Sequence, residues 1–251
     1  MEKTHDQSKL NIAIPYVRRT VNIRKVKLPQ ITAESIGLGV LLALIGGYLD
    51  AYTYVSRDGV FATSQTGNLV LLGVVTAQGH WAQGLKHIPP IFAFVIGVVV
   101  AEGLKHPNIT RTFPFPARTV LLLESIVLLF VGTWPAEVPN TVVTLTIAFV
   151  SSVQISSFRT LVRWPYNSAM VTGNLRSAAE AAYTAIILHD RQGMLKFIDF
   201  SIIILAFLGG AFIGSLFTLH FGTKAIWFAS AILLCTMLIL NTNPKTLLNK
   251  S

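Results

Sequence analysis

The stretch Gln65-Thr66-Gly67-Asn68-Leu69 decides how this chain folds, because its core recurs 106 residues later as Thr172-Gly173-Asn174-Leu175. Both copies lie in a long apolar background. Glycine frees the backbone, and threonine and asparagine side chains bind backbone groups that a helix leaves open. A polar break repeated in two halves of an apolar chain is typical of transporters, whose binding sites lie where the repeats meet.

The composition is that of an integral membrane protein. Of the 251 residues, 52% are hydrophobic and only 12% are charged, and the mean hydropathy is +0.60. A soluble domain carries roughly 25% charged residues. The low charge and the apolar runs of membrane length predict a multi-pass protein of the cell (inner or plasma) membrane.

The positive charge is concentrated at the N-terminus. The net charge is +9, and seven of the 20 lysines and arginines lie within the first 27 residues. Such a cluster beside a membrane span predicts a cytoplasmic tail that attracts anionic lipids, here residues 1–32. Because the basic residues cluster in this juxtamembrane tail, we expect no nucleic-acid partner.

Six segments are long and apolar enough to cross a hydrocarbon core of about 30 Å as helices. Two further segments carry the tripeptides and are more polar. The predicted fold is therefore an all-α membrane protein with six to eight membrane helices. The six spans are residues 35–54, 88–104, 117–134, 140–159, 197–219 and 225–241, and the tripeptide segments are residues 60–77 and 167–188.

The loop charges favour six spans over eight. If both tripeptide segments crossed the membrane, Lys105, Arg111 and Arg118 would lie outside, against the tendency of basic loops to stay inside. If both segments dip in and return on the same side, these residues lie inside with the N-terminal tail. A mixed arrangement with seven spans remains open.

The two halves are predicted to be homologous repeats. Residues 33–134 and 135–242 each contain a span, a broken or re-entrant tripeptide helix and two further spans, and residues 243–251 form a short C-terminal tail. Three spans per repeat would place the halves in opposite orientations, so that the two tripeptide elements enter from opposite faces. The alternative is chance likeness between apolar helices.

A known family shows a similar pattern around the first tripeptide. Its residues match at Gly47-Tyr48-Leu49-Asp50-Ala51, at Gly59-Val60-Phe61 and from Gln65 to Gly73. These motifs resemble the YoaK-like family of multi-pass membrane proteins of unknown function, most strongly over residues 37–104. Ile155 stands where an asparagine follows the glutamine in that family. The resemblance implies a polytopic bacterial-type membrane protein and supplies no substrate.

Two carboxylates inside predicted spans are candidates for binding a proton or an ion. Ionisable groups at membrane depth cost several kcal/mol unless they face protein, water or a partner. Asp50 lies near the end of the first span, so a wetted helix end or an ion pair with Arg57 is its structural alternative. Glu124 lies in the middle of the third span, where its alternative is a protonated carboxyl bonded to a neighbouring helix.

The second half replaces acidic residues with neutral ones and adds a cation. Gln154 occupies the position that matches Asp50. Arg176 follows the second tripeptide, where it could attract an anion at a helix N-terminus. An ion pair with Glu180, one helical turn away, is the slightly preferred interpretation.

The leading hypothesis is a small-solute transporter or channel-like protein, and the alternative is a non-transporting membrane scaffold or accessory subunit. No catalytic, metal-binding or cofactor motif supports an enzyme. The expected partners are the bilayer and an unidentified small solute or ion, and a homo-oligomer is left open. The predicted site comprises Asp50, Thr66, Gly67, Asn68, Glu124, Gln154, Thr172, Gly173, Asn174 and Arg176.

Overall fold

The computed structural model describes residues 35–106, 116–135, 137–161, 164–169 and 171–240. The predicted tails, residues 1–32 and 243–251, lie outside the described residues. Within these ranges the chain is helical, apart from a two-residue antiparallel pairing of Thr160–Leu161 with Trp164–Pro165. The α-helices are α1 (Ile36–Ser56), α2 (Gln65–Ala77), α3 (Trp81–Gly84), α4 (Ile88–Leu104), α5 (Pro116–Thr133), α6 (Asn140–Ser157), α7 (Val171–Ile187), α8 (Arg191–Phe221) and α9 (Ile226–Ile239).

Four helical stretches of the described chain are long and apolar enough to cross a membrane. They are Ile36–Ser56, Trp81–Leu104, Asn140–Ser157 and Arg191–Ile239. The last comprises α8 and α9, joined by a short 3₁₀ turn over Gly222–Ala225. Helix α5 occupies the sequence-predicted span 117–134. The predicted span 197–219 begins too late, because the Asp190 carboxylate caps α8 at the N–H groups of residues 192 and 193.

The tripeptides begin helices and do not break them. Helix α2 starts at Gln65 and α7 starts at Val171, so each Thr-Gly-Asn lies in the first turn of a continuous helix. The irregular backbone lies just before each tripeptide. Small polar residues suit this position because the first N–H groups of a helix have no partner within the helix. The expected break is therefore displaced toward the N-terminal side of each tripeptide.

The tightest helix pair is α1 with α8. A Cβ atom on Gly210 would lie 1.9 Å from the carbonyl oxygen of Leu44, and one on Gly214 would lie 2.7 Å from that of Tyr48. The two backbones touch through these glycines, as in small-residue helix interfaces of membrane proteins. Since both residue numbers increase together along the contact, α1 and α8 run parallel.

Two other pairs also join the first half of the chain to the second. Helix α4 packs along α6, where a Cβ on Gly97 would meet the Ser152 hydroxyl at 1.8 Å. Helix α5 packs along α9, where Ser125 and Ser230 each donate a hydroxyl hydrogen bond to the other's carbonyl oxygen at 3.0 and 2.8 Å. The main core therefore lies between the two halves, whereas α7 packs on α8 within the second half.

Polar contacts identify the two ends of the helix assembly. At one end, which we call the Arg57 end, the Arg57 guanidinium donates to the Asn140 side chain at 3.0 Å. Lys86 pairs there with Asp58 at 2.9 Å, and this hydrogen bond holds the pKa of the Asp58 carboxyl below its usual value. At the opposite end, Arg118 donates to the carbonyl oxygen of Leu240 at 2.5 Å.

Candidate functional site

Asp50 holds the start of α2 against α1. The side chain is 4% exposed. Its carboxylate accepts the Thr63 N–H at 2.6 Å, the Thr63 hydroxyl at 2.8 Å and the Ser64 N–H at 3.3 Å, and it also accepts the Ser64 hydroxyl. These donors include N–H groups that a helix start leaves free, and a negative charge there is favoured by the helix dipole. Asp50 therefore acts as a cap supplied from another helix.

Asp50 is neither at a wetted helix end nor in an ion pair with Arg57, the two structural alternatives expected for it. It is buried, so it is not a wetted helix end. Arg57 bonds to Asn140 and, at 3.1 Å, to the Tyr52 hydroxyl, so it does not pair with Asp50. With two N–H and two O–H donors on its two oxygens, Asp50 has little capacity left for a solute.

Asn68 closes the loop that precedes α2. Its side-chain oxygen accepts the Phe61 N–H at 2.9 Å, and its amide group donates to the Phe61 carbonyl at 2.8 Å and to Gln65 at 2.9 Å. The side-chain oxygen also lies 3.2 Å from Nδ1 of His87. Asn68 is fully buried. Its hydrogen bonds to the Phe61 backbone hold the loop before α2 together.

Asn174 binds the loop that precedes α7 in the second half, as Asn68 does before α2. Its amide group donates to the carbonyl oxygen of Asn167 at 2.7 Å, again a partner seven residues earlier in the chain. Both asparagines bind the backbone of their own loops. The other predicted tripeptide residues contribute little, because Thr66, Thr172 and Gly173 are exposed.

We predict that Asn68→Ala destabilises the protein strongly, whereas Thr66→Ala does not. The first change leaves the Phe61 backbone without its partners, which costs about 2–4 kcal/mol for several buried hydrogen bonds. The second removes an exposed hydroxyl from the same tripeptide, which changes stability by about 0.5 kcal/mol or less. Thermal unfolding of both detergent-solubilised variants, followed by tryptophan fluorescence, measures the difference. Equal melting temperatures would contradict the clamp role of Asn68.

A polar pocket lies between the two halves, beside the middle of α1. It is too narrow at every point to hold a water-sized sphere. Its polar lining comes from Thr63 before α2, Glu124 on α5, and Ser151 and Gln154 on α6. The apolar lining comes from Ile45, Gly46, Leu49 and Ile155.

Glu124 is the ionisable residue of this pocket, and only one of its two carboxyl oxygens has a hydrogen-bond partner. It is 1% exposed, and its Oε1 accepts the Ser151 hydroxyl at 3.1 Å. Its Oε2 is buried and has no hydrogen-bond partner among the described residues. Buried polar groups are nearly always bonded, so an unpaired carboxyl oxygen on a residue that lines a pocket calls for an explanation.

The structure separates the sequence-predicted site residues. Glu124 and Gln154 line one pocket, and Asp50 adjoins it through Thr63. Arg176 lies apart on an exposed face and pairs with Glu180 at 2.8 Å, as the preferred interpretation expected. Gly67 packs against the ring of Phe61, since a Cβ there would lie 2.9 Å from it.

Sequence reasoning missed two residues of the pocket, Thr63 and Ser151. The sequence around each residue contains a feature that could have identified it. Thr63 precedes the tripeptide in a run of small polar residues, and Ser151 lies three residues before Gln154, about one turn away on the same face of α6. Within the described residues, no group of three or more His, Cys, Asp or Glu side chains is arranged to hold a metal ion.

The profile of the family described as "Protein of unknown function (DUF1275)" matches residues 38–239. The chain belongs to this family. It is also 25% identical over 143 residues to the "UPF0700 transmembrane protein YoaK" of Bacillus subtilis (strain 168). That alignment covers 56% of this chain and 64% of the relative, so the match spans less than two thirds of the relative's length. No solved structure matches this chain.

The predicted resemblance to YoaK is thereby confirmed. Because the relative is a transmembrane protein and the described helices are long and apolar, this chain is a membrane protein of the same family.

Proposed function

We propose that this protein transports a small solute across the membrane through the pocket around Glu124. The observation that carries the proposal is the free Oε2 of Glu124, buried at the interface of the two halves beside Ser151 and Gln154. Unpaired ionisable groups inside a membrane are costly, and they mark substrate or ion pathways. A site between two helical halves is also where transporters with repeats bind their substrates.

The two halves are, in this proposal, inverted repeats. The first span of each half packs along a helix of the other half, as α1 does with α8 and α6 with α4. The reciprocal bonds of Ser125 and Ser230 resemble a contact across a two-fold axis, where each partner repeats the other's role. Asn68 and Asn174 also bind the backbone seven residues before them. These correspondences support duplication.

The proposal includes six spans with two re-entrant segments. Residues 57–87 leave the Arg57 end, reach inward as far as Asp50 through Thr63, and return where Lys86 meets Asp58. The positive-inside tendency places the N-terminal tail in the cytoplasm, so the Arg118 end would be cytoplasmic and the Arg57 end external.

Transport by this pocket requires a conformational change. The pocket admits no water-sized sphere, so it is too narrow in this state to hold a solute. At the Arg57 end, Arg57 joins α1 to α6 through Asn140, and the Tyr52 hydroxyl joins α1 to the turn before α9 at the carbonyl of Thr223, 3.0 Å away. These bonds between the halves would have to open for a solute to enter from that side.

A transport assay tests the proposal. The purified full-length protein is reconstituted into liposomes, and uptake is measured for a panel of labelled amino acids, sugars, nucleosides and inorganic ions. We expect uptake of at least one solute by the wild type and by Glu180→Gln, an exposed control. Glu124→Gln keeps the shape of the side chain and is expected to reduce uptake to the level of empty liposomes.

The same assay separates transport from the second candidate, a non-transporting scaffold. One observation favours the scaffold, because the tripeptide asparagines bind their own loops rather than a central site. A scaffold moves none of the tested solutes even when the reconstituted wild type is folded. Uptake that is unchanged in Glu124→Gln would contradict the role of the pocket.

A further inference from the structure

We propose that Glu124 carries an exchangeable proton, and that the pocket couples solute movement to this proton rather than to a metal cation. The coupling rests on the proposed transport function. The proton site itself does not, and it is tested separately below.

No positive charge faces Glu124 from the elements packed around it. Helices α6 and α9 contain no charged residue, and α1 contributes only Asp50. Arg118, on α5 itself, lies six residues away, about 9 Å along the helix, and binds the carbonyl of Leu240. Lys224 belongs to the turn at the other end of α5. A buried carboxylate without a counter-charge is strongly disfavoured. Glu124 is therefore more stable here in its neutral form, with a proton bound.

The negative charge of Asp50 makes ionisation of Glu124 still less favourable. Thr63 donates both its N–H and its hydroxyl to Asp50, and it lines the same pocket as Glu124. Two carboxyl groups in one buried site are not easily ionised at the same time. The proton of the pair belongs to Glu124, because four donors occupy the oxygens of Asp50 while Oε2 of Glu124 is free.

The pocket suits a proton better than a metal cation. Alkali and alkaline-earth ions require several oxygen ligands around a cavity of their own size. Here the polar lining comes from four side chains, and the hydroxyl groups of Thr63 and Ser151 are already bonded to Asp50 and Glu124. Proton binding needs only one lone pair. In the step, Oε2 of the Glu124 carboxylate takes one proton from a hydronium ion, which becomes water, and the reverse step returns the proton to water.

Exchange of this proton requires that the pocket open to water, because the closed pocket holds none. A proton that exchanges with solvent therefore reports opening of the pocket to water, and a proton that never exchanges is structural.

Infrared spectroscopy of the full-length protein in nanodiscs distinguishes these cases. The difference spectrum of wild type minus Glu124→Gln isolates the C=O stretching band of a protonated carboxyl at neutral pH. We expect the band in the wild type and in the exposed control Glu180→Gln, and its loss in Glu124→Gln. Transfer into D₂O should shift the band, and alkaline pH should abolish it. Replacing sodium with choline should leave it unchanged.

Three results would overturn the inference. One is the absence of the band in folded wild-type protein, which would mean that Glu124 is ionised. Another is a band that never shifts in D₂O, which would identify a purely structural proton. The third is loss of the band on adding sodium at fixed pH, which would identify a competing metal cation. If the band behaves as expected but liposomes show no uptake, the proton site stands and the transport function fails.

Discussion

The variant Gly210→Ala is expected to lose about 3 kcal/mol or more of stability, because the added methyl group cannot fit between α1 and α8. Its Cβ would lie 1.9 Å from the carbonyl oxygen of Leu44 and 2.7 Å from the carbonyl carbon of the same residue. Both atoms belong to the backbone, so no side-chain rotation can relieve the overlap. The two helices would have to separate, and the close packing on both sides of Gly210 would be lost with them.

The neighbouring residue supplies a matched control. A Cβ on Gly209 would meet no atom within 4 Å. Gly209→Ala adds the same methyl group one position earlier, and it should be neutral or stabilise the helix by up to about 1 kcal/mol. Heating the solubilised variants and measuring the monodisperse fraction by size-exclusion chromatography compares them. Equal heat resistance of the two variants would show that α1 and α8 do not pack through these glycines.

Replacing Asp50 with alanine is expected to cost about 3 kcal/mol or more, because hydrogen bonds to a charged group contribute about 1.5–3 kcal/mol each. The change leaves the N–H and hydroxyl groups of Thr63 and Ser64 without their acceptor in a buried site. Asp50→Asn should fall between the wild type and alanine. It keeps one acceptor oxygen but turns an NH₂ group toward existing donors.

Asp58→Asn is the control for this prediction, because asparagine tolerates the positive φ of 60° at this position. It removes a carboxylate eight residues further along, whose side chain is 37% exposed and pairs with Lys86. Exposed ion pairs contribute about 1 kcal/mol or less. The measurement is chemical or thermal unfolding of each variant in the same detergent. If Asp50→Ala and Asp58→Asn lower stability equally, Asp50 does not cap α2. It would then be a candidate for solute binding again.

Local sequence was enough to place most of the helices. Runs of apolar residues set the membrane helices to within a few residues, except at the start of α8, where Asp190 caps an earlier first turn. The same sequence identified Asp50 and Glu124 as unusual, because a carboxylate in an apolar helix stands out without any knowledge of its neighbours. It also identified the tripeptides, although it placed the break inside them.

What the sequence by itself determined is a helical membrane protein of the DUF1275 family, with two buried carboxylates and two tripeptide elements. Only the tertiary structure decided what these groups do. Asp50 is bonded to the start of α2, whereas Glu124 keeps one oxygen free in a pocket. The physical reason is that helix periodicity depends on neighbours along the chain. The partner of a buried polar group, such as Ser151 for Glu124, is set by packing between helices far apart in sequence.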